Sequence, residues 1–198
     1  MDEDNPVLRG PHGSHCVQFY DDDASLAGVV ADRARPVLAG EGVVVLLVTP
    51  QHALAIEAHL HRLGFDIDAL TAAGRIRILD ARATLARFLR NGVPDADRFL
   101  GSVGQVIAEC GRDDAPVFAY GEMVDLLWRA GNQYGALELE SLWNDLAHVY
   151  GFTLLCGYAR AAFAGHDRAG AYRTLCGLHA GVVSDQEPLV LGALNPGS

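Results

Sequence analysis

"APVFAYGEMVDLLWRAGNQYGALELESLWNDL", residues 115–146, decides how the rest of the chain is read. Its first part, "PVFAYGEM" (116–123), is an apolar run that ends abruptly in Gly121-Glu122. Further on, residues 136–150 set Leu139, Leu142, Trp143, Leu146, Val149 and Tyr150 on one helical stripe. A buried strand followed by a helix is the unit of parallel α/β sheets. In nucleotide-hydrolysing proteins of that class, an acid at a strand's end is where a metal-phosphate is handled. Glu122 therefore has two open readings, a structural hydrogen bond or a ligand contact, and Gly121 before it permits close backbone approach.

Working outward, the same alternation recurs. "HCVQFY" (15–20) reads as a strand, and "DDDASLAGVVADRARPVLAG" as a helix with acidic or Ser capping residues that ends by Gly40. "GVVVLLVT" (42–49) is continuously apolar and β-branched, as in a strand covered on both faces. A helix over 50–64 has Pro at its start and Gly at its end. "RIRILDA" (75–81) is a strand, 95–111 a helix, and "FTLLCGYA" (152–159) a fifth and closing strand. The pattern predicts an α/β three-layer sandwich, a mostly parallel central sheet flanked by helices. Residues 1–13 read as a loose lead and 185–198 as a tail.

Composition narrows the function classes. The 198 residues suit one domain, and the formal net charge is −10 with every basic residue an Arg. Without a basic cluster, direct nucleic-acid binding is not expected. No apolar run reaches membrane-spanning length and no signal peptide is evident, so the expected location is the cytoplasm. The four cysteines, Cys16, Cys110, Cys156 and Cys176, form no Cys-x-x-Cys and read as free, mostly buried thiols.

In a parallel sheet, ligands bind at the carboxyl ends of the strands. The candidate rim is Tyr20 with Asp21, Thr49, Asp80, Glu122, and Tyr158 with Arg160, of which strand alternation must leave some in the core. A phosphate loop needs Gly-rich backbone and a Lys, whereas "DDDASLAG" follows the first strand, so ordinary P-loop ATPase chemistry is not expected. Asp80 reads as a ligand contact or as a cap of the next helix. Cys176-x-x-His179 has ligand-like spacing, but a zinc site usually shows two such pairs, and a packed Cys with a core His is the simpler reading. His52, His59 and His61 on one helix read as exposed. No Gly-x-Ser-x-Gly elbow or other catalytic set is present, and no cofactor is expected. Trp143 reads as core. Trp128, beside the break at Gly131-Asn132, could line a pocket or a partner surface, and that break reads as a flexible joint.

"HCVQFY", "GEMVDLLWRAGN…ALELESLWNDL", "FTLLCGYA" and "LCGLHAGVVSDQEP" together resemble the MEDS domain, the methanogen/methylotroph DcmR-type sensory domain. The matching positions are His15, Gln18, Phe19, Tyr20, Gly121, Glu122, Met123, Trp128, Asn132, Glu140, Trp143, Asn144, Cys156 and Tyr158. The family's last segment reads C-x-x-H-S-H-V; here Ala180 and Gly181 stand in place of the Ser and the second His. The resemblance implies a RecA/KaiC-like fold with a degenerate P-loop and one sensory domain over 14–184. It also implies recognition of a small molecule such as a hydrocarbon derivative. Family members signal through histidine kinases, DNA-binding domains or anti-sigma-type regulators. This chain would therefore act in trans on a regulatory protein, such as a histidine kinase or transcription regulator, or through a homodimer. The candidate ligand contacts are Tyr20, Asp80, Glu122, Trp128, Tyr158 and Arg160. Two alternatives stand beside this: a nucleotide or cyclic-dinucleotide module using Arg160 and Arg82, and a ligand-free docking protein using Trp128 and Trp143.

Overall fold

Continuous apolar runs and capped amphipathic runs alternate in the computed structural model as strands and helices. The structure describes residues 14–163 and 168–183; the expected lead over 1–13 and tail over 185–198 lie outside them. The elements, in order, are β1 (His15–Tyr20), α1 (Asp23–Ala39), β2 (Val43–Val48), α2 (Pro50–Arg62), α3 (Ile67–Ala72), β3 (Ile76–Asp80) and α4 (Ala81–Phe88). A short antiparallel ribbon, β4 (Leu89–Arg90) and β5 (Val93–Pro94), follows. Then come α5 (Ala96–Phe99), a π-helical turn over Leu100–Gly104, α6 (Gln105–Cys110), a 3-10 turn (Arg112–Asp114), β6 (Val117–Gly121), α7 (Met123–Arg129), α8 (Gln133–Tyr150) and β7 (Thr153–Ala159). A 3-10 turn (Arg160–Phe163), α9 (Arg168–Leu178) and β8 (Gly181–Val183) complete the order.

The central sheet has six strands in the order β3-β2-β6-β7-β1-β8, and every pairing in it is parallel. Five strands were expected; β8, only three residues long, adds a sixth at the edge beside β1. Side chains alternate between two cores, as the strand period of two requires. Val17, Phe19, Val45, Leu47, Ala119, Leu154, Cys156 and Tyr158 face the layer built from α4 to α9. Cys16, Tyr20, Val44, Leu46, Phe118, Tyr120 and Leu155 face α1, α2 and α3. The result is three layers with the sheet in the middle.

The connections explain where a ligand could enter. From β2 the chain passes through α2 outward to β3, on the α1 side. From β6 it passes through α7 and α8 the other way to β7, on the opposite side. Crossovers of one hand running in opposite directions must use opposite faces. The carboxyl ends of neighbouring β2 and β6 therefore diverge and open a crevice, a topological switch point.

The turn where a phosphate loop would lie is closed. Only Asp21 and Asp22 separate β1 from α1, and the Asp22 carboxylate accepts the Ser25 N–H at 2.9 Å as the helix N-cap. The helix terminus that binds phosphate in P-loop proteins is here occupied by the chain's own carboxylate. The break at Gly131-Asn132 is not a loose joint. Gly131 takes φ +77°, the Asn132 N–H donates to Leu127 O at 2.9 Å, and Asn132 Oδ1 accepts the Gly135 N–H at 2.9 Å. Asn132 Nδ2 also donates to Gly92 O in the turn between β4 and β5 at 2.5 Å, so the connection is pinned on both sides.

Candidate functional site

At the switch point between β2 and β6 lies a cavity of about 560 Å³, within the size range of small-molecule sites. Glu122 sits at its floor, 2% exposed. The Glu122 Oε1 atom accepts the Thr49 N–H at the start of α2, and Oε2 meets His52 Nδ1. Both carboxylate oxygens are thus engaged within the protein. The two sequence readings of Glu122 merge: it lines the crevice and serves it as a structural hydrogen-bonding group.

His52 presents its other ring nitrogen, Nε2, to Asp23 Oδ1 at 3.1 Å, so the imidazole is held between two carboxylates. Burial lowers its pKa, but Glu122 and Asp23 outweigh that and push it up to about 9. The charged imidazolium is therefore the form present at neutral pH. Contrary to the expectation of an exposed helix histidine, His52 is buried. The signal in the sequence is Pro50 at the first turn of α2, which starts the helix directly at the carboxyl end of β2.

Asp125 completes the inner wall. It is buried on α7, accepts the Ala159 N–H at 3.1 Å through Oδ1, and accepts the Tyr20 hydroxyl at 3.4 Å through Oδ2. Arg129, one turn on, lies 3.5 Å from the same carboxylate. Burial pushes the Asp125 carboxyl up, against the lowering effect of the Ala159 N–H and Arg129. The Tyr20 hydroxyl is also pushed up, by burial and then by the neighbouring Asp125 and Glu122 charges. A second cavity, about 580 Å³, adjoins the first by sharing Tyr20, Asp23 and Arg129 and reaches Trp128, Gly131 and Ala162.

Of the expected ligand contacts, Tyr20 and Glu122 meet in the first cavity and Trp128 lines the second. Trp128 is 5% exposed and packs on Phe163 at a ring separation of 5.1 Å. Tyr158, Asp80 and Arg160 lie elsewhere. Tyr158 is fully buried and donates to Glu140 Oε1 at 2.7 Å. Asp80 caps α4 by accepting the Ala83 N–H at 2.7 Å. Arg160 pairs with Asp21 at 3.1 Å and donates to the Tyr172 hydroxyl at 2.9 Å. Arg82, named for nucleotide contact, does line the first cavity. His52, read from the sequence as exposed, and Asp125 and Arg129, which the sequence did not single out, are added to the rim.

Several of the remaining motif positions gather on the α8 side of the sheet. His15, Glu140, Cys156 and His179 bring one donor atom each within 4.8 Å of one another. Asn144 joins them through His15 Nδ1 at 2.9 Å, while Trp143 is core and stacks edge-on against Phe99. Burial pushes the Glu140 carboxyl up, yet the His179 and His15 imidazoles beside it outweigh that and hold it below the ordinary carboxylate range. The His179 imidazole is raised in turn: burial lowers it, but Glu140 more than compensates. Burial and the Glu140 charge push the Cys156 thiol up. Cys176, the other half of the spaced pair, is half-buried and lies outside this cluster.

Among the described residues no helix is long and apolar enough to cross a membrane. No curated protein sequence matches the chain. Solved structures do match. A Pyrococcus horikoshii protein is 12% identical with a TM-score of 0.59, over 96% of this chain and 90% of that one. A second protein of that archaeon, solved with an unknown peptide, is 10% identical with a TM-score of 0.61, over 88% and 78%. A KaiC-like protein, also from Pyrococcus horikoshii, is 15% identical with a TM-score of 0.56, over 87% and 72%. At such identities the likeness concerns the fold, which is RecA/KaiC-like. The model of the MEDS family, the methanogen/methylotroph DcmR sensory domain, matches residues 14–174, and the chain belongs to that family of sensory domains.

Proposed function

We propose that this sensory domain binds a small molecule in the crevice between β2 and β6 and reports it to a regulatory protein in trans, without catalysis. The observation that carries the reading is His52 held between Glu122 and Asp23 at the edge of a cavity of about 560 Å³. The crevice stands where related folds handle nucleotides, but its phosphate-binding turn is replaced by the Asp22 cap. Its walls are polar, with Tyr20, Arg82 and Arg129 as donors and Asp23 and Asp125 as acceptors. Such a lining suits a compact ligand with a hydroxyl or similar polar group better than a bare hydrocarbon. The adjoining cavity at Trp128 offers room for a short apolar part.

Binding here bears on α7, whose Asp125 also holds the ends of β1 and β7, so a ligand has a route to the α7–α8 surface. Thermal-shift measurements test this with a panel of short alcohols, halogenated and methylated compounds, nucleotides and cyclic dinucleotides. A ligand at a hundred times its Kd stabilises the fold by about 2.7 kcal/mol. We expect a shift with one of the small polar compounds, lost in Arg129→Ala and in His52→Ala. A shift with nucleotides alone, removed by Arg82→Ala, would replace this reading by nucleotide binding. A flat panel would sink both.

A further inference from the structure

We propose that His15, Glu140, Cys156 and His179 form a closed site for a divalent first-row transition metal of the zinc class. The four residues come from the start of β1, the middle of α8, the middle of β7 and the segment after α9. Their exposures are 3%, 0%, 0% and 8%, so the site is sealed from solvent.

Spacing is the first argument. His15 Nε2 lies 3.1 Å from Cys156 Sγ and 3.2 Å from Glu140 Oε2, and His179 Nε2 lies 3.3 Å from the same Oε2. Tetrahedral zinc bonds imply ligand separations of about 3.3–3.8 Å. The three separations lie at or just below that range and the other pairs within 4.8 Å, so an adjustment around a metal, chiefly of Cys156 and His179, completes the tetrahedron.

Tautomers are the second. The Asn144 amide donates through Nδ2 to Leu178 O at 3.1 Å, which turns its Oδ1 toward His15. Nδ1 of His15 must therefore carry the proton it donates. His179 Nδ1 faces the carbonyl of Leu175 at 2.6 Å, a pure acceptor, so it too carries a proton. In both rings the neutral form then points an Nε2 lone pair inward. Tyr158 donates to Glu140 Oε1 and leaves Oε2 facing the same point. Outer partners that fix the ring tautomer and orient the carboxylate are characteristic of ligating residues.

The third argument is what stays unsatisfied. Glu140 Oε2 and His179 Nε2 are buried and lie 3.3 Å apart as an ion pair, out of line for a well-formed hydrogen bond. With both rings neutral, buried acceptors are set against one another, which is costly unless a cation, a proton or a metal ion, lies between them. One proton serves one pair of atoms; here Oε2 faces two imidazoles, and one of those faces a sulfur as well. A metal ion serves all four at once. The N₂OS donor set, with a thiolate, selects zinc-like metals over magnesium or calcium. Loading releases the Cys156 thiol proton to solvent as the sulfur binds.

The test uses the full chain expressed with zinc supplied, its metal content measured, then stripped with a chelator and titrated with cobalt(II). The expected result is one metal per chain and, with cobalt, a thiolate-to-metal charge-transfer band. That band should vanish in Cys156→Ser and persist in Cys176→Ser. Tyr158→Phe, which keeps the core volume and all four ligands, should lower metal affinity by about 10–100-fold. If Cys156→Ser fails to fold, the Tyr158→Phe titration still decides. Only trace metal together with no cobalt band in the wild-type chain overturns the proposal. So does a band lost with Cys176 and kept without Cys156, or unchanged affinity in Tyr158→Phe.

Discussion

His52 turns its two ring nitrogens to carboxylates from different elements, Glu122 after β6 and Asp23 at the start of α1. Its pKa, raised to about 9 in the folded chain, exceeds the value of about 6.5 that the unfolded chain has. A raised pKa means the folded state binds the proton more tightly. The contribution is therefore complete below about pH 6.5 and is lost as pH rises through about 9. The expected size is on the order of 1–3 kcal/mol, at the lower end because Asp23 is half-exposed and screened. Urea denaturation at steps between pH 6 and pH 10 should show this loss in the wild type. His52→Gln should lack that part of it; equal slopes in the two proteins would remove the imidazolium from the account. Why such residues escaped the sequence is clear from β1, whose six positions are all buried. Where both faces of a strand are covered, apolar alternation no longer tells the two faces apart. Of the two tyrosines at strand ends, Tyr20 lines the crevice, while Tyr158 belongs to the buried cluster beside Glu140. Asp80 and Arg160 lie at strand ends as expected, but each is engaged by its own neighbours, which spacing alone does not reveal.

Among the elements, those with long periodic patterns were legible and the short ones were not. The strands β1, β2, β3, β6 and β7 and the helices α1, α2 and α8 follow from apolar runs, caps and Pro or Gly boundaries. The helices α3 and α4, the β4–β5 ribbon and β8 are two to eight residues long, too short for periodicity to mark them. That ribbon changes the reading of the break before α8. Its Gly92 carbonyl approaches so closely that a Cβ on Gly135 would stand 2.7 Å from it and 2.5 Å from Asn132 Nδ2. Backbone cannot yield there as a flexible side chain would. Gly135→Ala should therefore destabilise the fold by about 1–3 kcal/mol, the usual cost of overpacking, despite Ala's better helix propensity. Equilibrium unfolding in urea measures it. A neutral or stabilising result would mean that the connection is loose, as the sequence alone suggests.

For the whole molecule, the sheet separates two sites that the sequence motifs had run together. The crevice lies at the carboxyl ends of the strands, and the His15 cluster near the opposite end of β1 on the α8 side. A six-residue strand at 3.3 Å per residue puts about 17 Å between His15 and Tyr20. The three-layer class and parallel sheet could be read from the strand–helix alternation, because that alternation is a property of the entire chain. The division of motif residues between two sites could not, because it depends on which face each side chain takes. Sites this far apart without shared partners should contribute to stability independently. His52→Ala removes the carboxylate bridge at the crevice, and Asn144→Ala removes the amide that orients His15 and bonds Leu178 O. Leaving such buried groups unpaired costs about 1–3 kcal/mol. The double variant should lose the sum of the two single losses to within about 0.5 kcal/mol. Additivity would mean that the crevice and the buried cluster are energetically uncoupled. A coupling above about 1 kcal/mol would instead mean that the sheet carries a change at the crevice through to the buried cluster, making that cluster part of the sensing route.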